Sequence, residues 1–483
     1  MNSAGLWRGA APLLQCLVSY SAHFNSEALM AEIQPFRAYR YDTNRIALKD
    51  VLTQPYDKIT PSMQNAYYAA SPYNLIAIEK GRALPGDTPE NNVYTRAASK
   101  VDEWIAAKIL LQDASPAVYV YSQDFEVPGT HTRRVRIGFI ALARVEDYDA
   151  QVVFRHEHTL SGPKADRIEL LRRTRAQTGQ LFLLYDDRVR QIDTWLEQIA
   201  RTSAPNELSD EFGVTHRLWP VSDPAFAARI QKAMADKKLV IADGHHRYET
   251  ALNYRNECRA RAGKTDPMAA SEFAMATFIN THSRGLTILP THRLVSRIAN
   301  FDFDRFRSNL APIFDWYSYP FANPEERATA YAEFRKDLER PNHGRRAIGV
   351  YPGAIHSGAG AFYLFALQPR TDLETLLPDV SDAQRGLDVV LLHRLILEKG
   401  LGITVEAVAG EKNLSYEREM DTALAAVDRG EAQLAFLLNP VRVEQVTKIA
   451  LGGDVMPQKS TDFYPKLLSG IAIYRVEGRI EGS

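Results

Sequence analysis

Apolar residues recur along this chain with two periodicities, which predict helices alternating with short strands. Residues 94–112 carry apolar side chains at helical spacing, whereas residues 116–121 and 134–143 have the β-branched and aromatic content typical of strands. This alternation predicts an α/β fold built on mixed sheets, with α+β as the alternative. The same criteria predict strands at 180–185 and 239–242 and helices at 165–177 and 226–237.

A second region with the same alternation begins near residue 300. Its strands are expected to form a mixed sheet of their own. A chain of 483 residues is long enough for more than one domain. We therefore expect a disordered extension at 1–29, an α/β region at 30–300 and a C-terminal α/β domain at 301–483. In the second region, helices are predicted at 324–339, 383–400 and 420–429, and strands at 346–351, 361–367, 433–438 and 470–476.

Composition and charge exclude several classes of partner. Lys plus Arg number 58 and Asp plus Glu number 59, so the net charge of -1 creates no whole-chain field for nucleic acid or anionic membrane. No apolar stretch approaches the roughly 18 residues of a membrane span. The two cysteines, Cys16 and Cys258, support neither a disulfide framework nor a cysteine-based zinc site.

The first 29 residues loosely suggest a signal peptide, because residues 10–19 are largely apolar. Gln15 interrupts that run, Arg8 supplies the only positive charge, and no convincing cleavage site follows. We therefore expect a cytoplasmic protein. The sequence does not determine its oligomeric state.

The main chemical signal is the segment Asp243-Gly-His-His-Arg-Tyr-Glu249, which follows the predicted strand 239–242. An amphipathic helix is predicted to begin at about His246, with Asp243 as its N-cap and Gly244 allowing a tight turn. A helix start presents free backbone N–H groups and a partial positive charge, which suit a phosphate group. The side chains that cluster there are His245, His246 and Arg247.

A second cluster is His156-Glu-His-Thr-Leu-Ser-Gly-Pro-Lys-Ala-Asp-Arg167. Glu157 is a candidate general base, while Lys164 and Arg167 are candidates to clamp an anionic group, with Asp166 beside them. The helical H-E-x-x-H zinc pattern is absent, so we assign no metal ligand. A solvated polar loop is the structural alternative.

Three weaker segments place polar residues after turns or strands: 54–57, 289–293 and 456–466. Each alone is more often a surface loop than a site. Neither a Walker-type loop nor a G-x-G-x-x-G fingerprint precedes them. His393 lies in an apolar helix and is interpreted as a satisfied core histidine. The candidate ligand-binding residues in the three segments are Asp57, His292, Arg293, Lys459, Ser460 and Thr461.

These motifs resemble those of the domain-of-unknown-function family 1015, in order, from about residue 30 to the end. Family members commonly have a second proline where this chain has Gln54, and they usually lack His158. The family name implies no chemistry. The motifs that carry the resemblance are Pro35-Phe-Arg-Ala38, Gln54-Pro-Tyr-Asp57, Ser71-Pro-Tyr-Asn74, His156-Glu157 with Gly162–Arg167, Ala242–Ala251, Ile288–Val295, Met456–Thr461 and Phe463–Lys466.

A more distant resemblance covers about a dozen residues, 239–251. A strand that ends in Asp-Gly-His-His-Arg and enters a helix is similar to the nucleotide-binding motif of the ParB/sulfiredoxin superfamily. That superfamily includes CTP-binding ParB proteins, sulfiredoxins and free-serine kinases, in which this turn and its His and Arg side chains hold nucleotide phosphates. Sulfiredoxin chemistry needs a cysteine in the turn, which this chain lacks. The serine-kinase branch fits better.

The leading hypothesis is therefore phosphoryl transfer, by a kinase or a phosphatase, involving a small hydroxylated metabolite such as serine or phosphoserine. His245, His246 and Arg247 would hold the transferring group, and Glu157 or Asp57 would orient or deprotonate the hydroxyl. Asp243 would cap the turn or help to hold Mg²⁺. A nucleotide or pyrophosphate is the expected phosphate-bearing partner, and nucleic acid is not expected.

Two other functions remain open at this point. One is a ParB-like nucleotide-binding regulator without turnover, although no basic recognition helix or DNA-binding domain is evident. The other is a metal-dependent hydrolase built on the imidazoles of His156, His158, His245 and His246.

Overall fold

The computed structural model describes residues 31–157, 161–339, 345–353, 359–410 and 412–480, without the side chains of 161–164, 405 and 409. The extension expected at 1–29 lies outside this description, as do His158 and the side chain of Lys164. The described residues form an α/β fold of mixed sheets, as the alternating apolar patterns predict. Among the helices described, none combines the length and the apolar character needed to span a membrane.

The described strands are β1 (Ile33–Gln34), β2 (Tyr39–Tyr41), β3 (Leu110–Gln112), β4 (Val118–Glu126), β5 (Arg133–Arg144), β6 (Val153–Phe154), β7 (Ala176–Gln177), β8 (Leu181–Tyr185), β9 (Asn206–Ser209), β10 (Thr215–Val221), β11 (Leu239–Asp243), β12 (Phe273–Asn280), β13 (Thr287–Leu289), β14 (His292–Val295), β15 (Phe314–Phe321), β16 (Ala347–Tyr351), β17 (Gly360–Leu367), β18 (Leu414–Glu417), β19 (Leu434–Leu437), β20 (Asp462–Tyr464) and β21 (Tyr474–Arg475).

The described α-helices are α1 (Pro61–Ala70), α2 (Ile76–Glu79), α3 (Val93–Ala106), α4 (Ser161–Thr174), α5 (Gln191–Thr202), α6 (Pro224–Met234), α7 (His245–Ala262), α8 (Phe303–Leu310), α9 (Pro324–Glu339), α10 (Leu373–Leu376), α11 (Asp382–Arg385), α12 (Asp388–Leu391), α13 (Val405–Ala409), α14 (Met420–Asp428) and α15 (Val443–Leu451). Short 3-10 helices include Tyr56–Lys58, and a π-helix spans Leu392–Gly400.

A nine-stranded mixed sheet lies at the centre of the first half of the chain. Its strand order is β6-β11-β8-β12-β5-β4-β10-β9, with β1 paired to β5. Strand β11 runs parallel to β6 and antiparallel to β8. Strands β8 and β12 are buried along their whole length, as continuous apolar runs require when both faces of a sheet are covered. Apolar clusters therefore pack on both faces and fix β11, the strand that leads into the candidate site.

A six-stranded sheet, ordered β15-β17-β16-β19-β14-β18, organises the second half. Its pairings are all antiparallel, so the expectation of a mixed sheet here is wrong. Strand β15 was not predicted, because its central residues are exposed at the sheet edge and do not alternate between apolar and polar. The division of the chain into domains at residue 300 stays a prediction.

The last segment of the chain returns to the first half. Strand β20 pairs with β13, and β21 pairs with β7. The prediction that residues 470–476 form a strand of the C-terminal sheet is therefore wrong, because the strand found there, β21, pairs with β7. The backbone N–H of Met456 also donates to the carbonyl of His156 at 2.8 Å. This return brings residues 456–466 to the end of β11.

Three predicted helices differ from those observed. The helix predicted at 94–112 ends at Ala106, because Lys108 adopts a positive φ of 56° and the chain then enters β3. The helix predicted at 165–177 instead spans Ser161–Thr174 and is followed by β7. The helix predicted at 383–400 is divided into α11, α12 and the π-helix, and Gly386 is the C-cap of α11.

Candidate active site

The strand–turn–helix predicted from the Asp-Gly-His-His-Arg segment is present. Strand β11 ends at Asp243, and helix α7 begins at His245. Gly244 adopts a φ of 91°, which favours glycine, and is itself the N-cap, without a side-chain cap. The prediction that Asp243 is the N-cap is therefore wrong: its Oδ1 accepts the N–H of Gly244 at 2.8 Å. The first N–H groups of an 18-residue helix thus lack a side-chain cap.

A cavity of about 800 Å³ opens at this helix start. It is bordered mainly by four parts of the chain that are far apart in sequence: the turn at Tyr56–Lys58, the start of α7, and the segments 415–419 and 459–466. The residues with predicted roles that line it are Asp57, Glu157, Asp243, Gly244, His245, His246, Arg247, Lys459 and Thr461.

A chain of ion pairs crosses the floor of the cavity. Lys466 Nζ lies 3.2 Å from Asp243 Oδ2 and 3.1 Å from Asp462 Oδ1, and Arg418 Nε lies 2.6 Å from Asp462 Oδ2. Burial alone would raise the pKa of Asp243, but the charges of Lys466, Arg247 and Lys58 lower it well below its usual range. The same balance lowers the pKa of Asp462 to about 2, and both carboxylates are ionised at neutral pH.

The ammonium of Lys466 stays charged in this environment. Burial opposes the charge, but Asp243 and Asp462 more than offset it, so the pKa of Lys466 rises. The backbone here is held by two buried side chains: Gln123 Nε2 donates to the carbonyl of Lys466 at 2.7 Å, and Arg136 donates to that of Tyr464 at 3.0 Å. Lys466 is therefore placed by strands β4 and β5, which lie in the centre of the large sheet.

The Arg247 guanidinium keeps most of its donors available. Its NH1 donates to the carbonyl of Gln180 at 3.1 Å, and its NH2 lies 3.8 Å from Asp57 Oδ1. Burial lowers its pKa, but Asp57 and Asp243 raise it overall. A Cβ on Gly179 would lie 3.3 Å from the Arg247 Nε. Glycine at that position therefore leaves the space that the guanidinium occupies.

Glu157 has the properties expected of a general base. Its Oε1 accepts the backbone N–H of Lys459 at 3.2 Å. Burial raises its pKa, although the Lys459 N–H and the nearby ammonium groups partly offset this effect. A raised pKa brings a carboxylate closer to the pH at which it exchanges protons with a substrate.

His156 and His245 form a buried pair beneath the cavity, with ring centroids 4.6 Å apart. The two ring nitrogens of His156 are engaged by the Ile241 carbonyl at 2.7 Å and by Thr461 Oγ1 at 3.0 Å. Burial lowers the pKa of His156 to about 4 and that of His245 well below 6.5. Both rings are therefore neutral at pH 7. The Nε2 of His245 is buried and has no hydrogen-bond partner among the described residues.

This arrangement does not suit the metal-dependent alternative. His156 has no nitrogen left for a metal ion, because the protein occupies both. Over the described residues, no three His, Cys, Asp or Glu side chains are grouped so as to hold a metal ion. His158 lies outside the described residues.

Several predicted site residues do not line the cavity. His292 and Arg293 are each 1% exposed within β14. The hydroxyl of Ser460 turns away to the Pro457 carbonyl. Asp166 accepts a hydrogen bond from the hydroxyl of Tyr94 at 2.9 Å, and neither Asp166 nor its neighbour Arg167 lines the cavity.

Other cavity residues were missed by sequence reasoning. Lys58 directly follows Asp57 and could have been found as the next polar residue of that turn. Lys466 and Asp462 flank the Phe463-Tyr-Pro motif, although no role was assigned to either. The segment Ser415–Glu419, at the end of β18, carries no short-range motif, since only its pairing with β14 brings it to the site.

The comparisons with known proteins place the chain in a family. The profile of "Protein of unknown function (DUF1015)" matches residues 33–402. The chain belongs to the DUF1015 family. The resemblance seen in the sequence motifs is thus confirmed, although residues 456–466 lie beyond the matched span. No curated protein matches the chain.

Solved structures similar to this DUF1015 member include a conserved hypothetical protein from Pyrococcus furiosus, at 12% identity and a TM-score of 0.29, over 65% of this chain and 87% of that one. A free serine kinase in complex with AMP has 13% identity and a TM-score of 0.30, over 65% and 83% of the chains. A free serine kinase variant in complex with ADP has 11% identity and a TM-score of 0.31, over 65% and 84%.

Proposed function

We propose that this protein transfers a phosphoryl group to or from a small hydroxylated metabolite such as serine or phosphoserine. The observation that carries the proposal is the convergence, in one cavity, of an uncapped helix start, a guanidinium with free donors and a carboxylate of raised pKa. Phosphoryl transfer relies on positioning and on charge stabilisation, which such groups supply.

The transferring phosphoryl group would lie at the start of α7. The backbone N–H groups there, the Arg247 guanidinium and the His245 Nε2 would donate to its oxygens. Lys58 adds an ammonium to the cavity lining; burial and the charge of Lys466 lower its pKa. Lys466 has a supporting role, since its charge is already balanced by Asp243 and Asp462.

Glu157 would act as the general base. Its carboxylate would take the proton of the acceptor hydroxyl as that oxygen attacks phosphorus, and the bond to the leaving oxygen would break with its electron pair. A nucleotide or pyrophosphate would be the partner that carries the group. Asp57, which is 44% exposed, is available to hold an accompanying Mg²⁺. Asp243 is not, because Gly244 and Lys466 occupy its two oxygens.

The test is a ³¹P NMR assay of the purified protein with Mg²⁺, L-serine, and ATP, ADP or pyrophosphate. We expect a phosphoserine signal, and we expect Glu157→Gln to bind pyrophosphate normally while losing at least about 100-fold in turnover, as removal of a general base predicts. Glu169→Gln, on the outer surface of α4, is the matched control. Full turnover by Glu157→Gln, or failure of the wild-type protein to bind any of the three phosphate compounds, would refute the proposal.

A further inference from the structure

A smaller space lies on the other side of Arg247, separate from the lining of the large cavity. It has a volume of about 60 Å³. We call it the side compartment, and its polar lining consists of Glu79, Arg167, Gln177, Thr178, Arg247 and Thr250. Arg247 is the one residue that lines both spaces among the residues described.

The guanidinium of Arg247 faces both ways. Its NH1 lies 3.5 Å from the position that a Cβ on Gly244 would take, and Gly244 lines the large cavity. Its Nε lies 3.3 Å from the corresponding position on Gly179, which lines the side compartment. The Arg247 guanidinium therefore borders the large cavity with its NH1 and the side compartment with its Nε, so an anionic group in either space has an N–H donor nearby.

The side compartment also contains a buried carboxylate. Glu79 is 3% exposed; its Oε2 accepts the hydroxyl of Thr178, and its Oε1 lies 3.9 Å from Arg167 NH1. The Nε and NH2 of Arg167 are engaged by Asp166, and its NH1 donates to the carbonyl of Glu79. Arg167 therefore supports the wall, while Glu79 Oε1 retains capacity to accept from a ligand.

The rest of the lining is Gly179 and five aliphatic residues: Leu170, Leu171, Ala176, Leu181 and Ala274. At roughly 10–15 Å³ per water-sized group, the space holds about four to six such groups. A carboxylate and a guanidinium edge around a small aliphatic floor match a ligand with one cationic group, one anionic group and few carbons.

We propose that the side compartment binds the ammonium and carboxylate groups of a small amino acid, whose hydroxyl extends past Arg247 toward the large cavity as the phosphoryl acceptor of the proposed reaction. Its carboxylate pairs with the Nε edge of Arg247, and its ammonium pairs with Glu79. The inference rests on the proposed function for the acceptor's role, but the binding of the amino acid is measurable without turnover.

The test is isothermal titration calorimetry with L-serine, glycolate, ethanolamine and pyrophosphate. Glycolate lacks the ammonium group and ethanolamine lacks the carboxylate, so each is expected to bind at least about tenfold more weakly than L-serine. Glu79→Gln is expected to weaken L-serine binding at least about tenfold and to leave the Kd of pyrophosphate within about twofold. Glu169→Gln is the control with the same chemical change on the outer face of α4.

A second variant covers the case in which Glu79→Gln does not fold. Ala176→Leu fills the compartment without removing a polar group, and it is expected to abolish L-serine binding while pyrophosphate still binds. Unaltered L-serine binding by Glu79→Gln or Ala176→Leu, equal binding of ethanolamine and L-serine, or no L-serine binding by the wild-type protein overturns the side-compartment proposal. If the wild-type protein binds none of ATP, ADP and pyrophosphate, the proposed function is overturned instead.

Discussion

His246-Arg247 and His292-Arg293 both place a histidine directly before an arginine at a strand, and only the first pair faces the cavity. After β11, Gly244 ends the strand, and residues 245–247 form the first turn of α7. His292 and Arg293 instead lie inside β14, between β18 and β19. The same residue types therefore have different roles. The element that contains them decides whether their N–H groups face a ligand site or donate to the protein's own backbone.

The hydrogen bonds express this difference. Arg293 donates to the carbonyls of Thr291 and Lys459, and the N–H of Leu438 donates to His292 Nδ1 at 3.2 Å. Arg293 thus connects the segment that contains Lys459 to β14. Arg247, in contrast, donates one hydrogen bond to the backbone. His292 and Arg293 therefore stabilise the wall of the site, whereas Arg247 borders the cavity.

The largest effect is expected from Arg293→Met. The change removes the charged donor of two part-buried hydrogen bonds to carbonyls, at about 1.5–3 kcal/mol each, so the unfolding free energy should fall by about 4 kcal/mol. Urea unfolding measures it. Arg188→Met is the control, because Arg188 is 81% exposed. A decrease in unfolding free energy of less than about 1 kcal/mol would show that Arg293 does not stabilise the wall of the site.

Acid should unfold the β14 region through His292. Burial, followed by the charge of Arg293, lowers the pKa of His292 from 6.5 to about 4. Its contribution to stability is therefore complete above pH 6.5 and is lost as the pH falls to about 4. The shift corresponds to about 3 kcal/mol. Asn mimics the Nδ1 acceptor, so His292→Asn should reduce the difference in unfolding free energy between pH 7 and 4. His282→Asn, at a 44% exposed histidine, should leave that difference unchanged.

Arg247→Met should act on ligand binding. The loss of a charge-assisted hydrogen bond to the ligand costs about 1.5–3 kcal/mol, so the Kd of pyrophosphate should rise by about 10- to 100-fold. The unfolding free energy should fall less than in Arg293→Met, because one hydrogen bond to the backbone is lost rather than two. Calorimetry at constant ionic strength provides the measurement. If Arg247→Met lost stability while keeping its affinity, the contrast between the two arginines would be reversed.

The smallest effect on ligand binding is expected from Lys58→Met, which removes one ammonium group from the lining of the cavity. The Kd of pyrophosphate should rise by about 3- to 10-fold, and its dependence on salt should weaken, because a partly exposed charge is screened. Lys49→Met supplies an exposed lysine control nearby. Equal effects of the two substitutions would remove Lys58 from the site.

Much of the fold follows from local patterns. The strand 239–242 and the helix after it were predicted because a buried strand, a glycine turn and an amphipathic helix leave separate signals within a dozen residues. The N-cap was wrong by one residue, because Gly244 takes the positive φ and Asp243 accepts from the turn instead. Strand β15 left no signal, since its exposed edge residues do not alternate between apolar and polar.

The sequence by itself determined the phosphate-compatible turn at Asp243–Arg247 and membership of a family whose motifs it carries. The tertiary structure alone decided which other residues join that turn. Lys466 contacts Asp243, 223 positions away in the chain, because buried Gln123 and Arg136 hold the backbone of its loop. Tyr416 lies at the site because β18 pairs with β14. Local propensity acts over a few residues, whereas strand pairing and burial bring distant segments together, so only the folded chain separates Arg247 from Arg293.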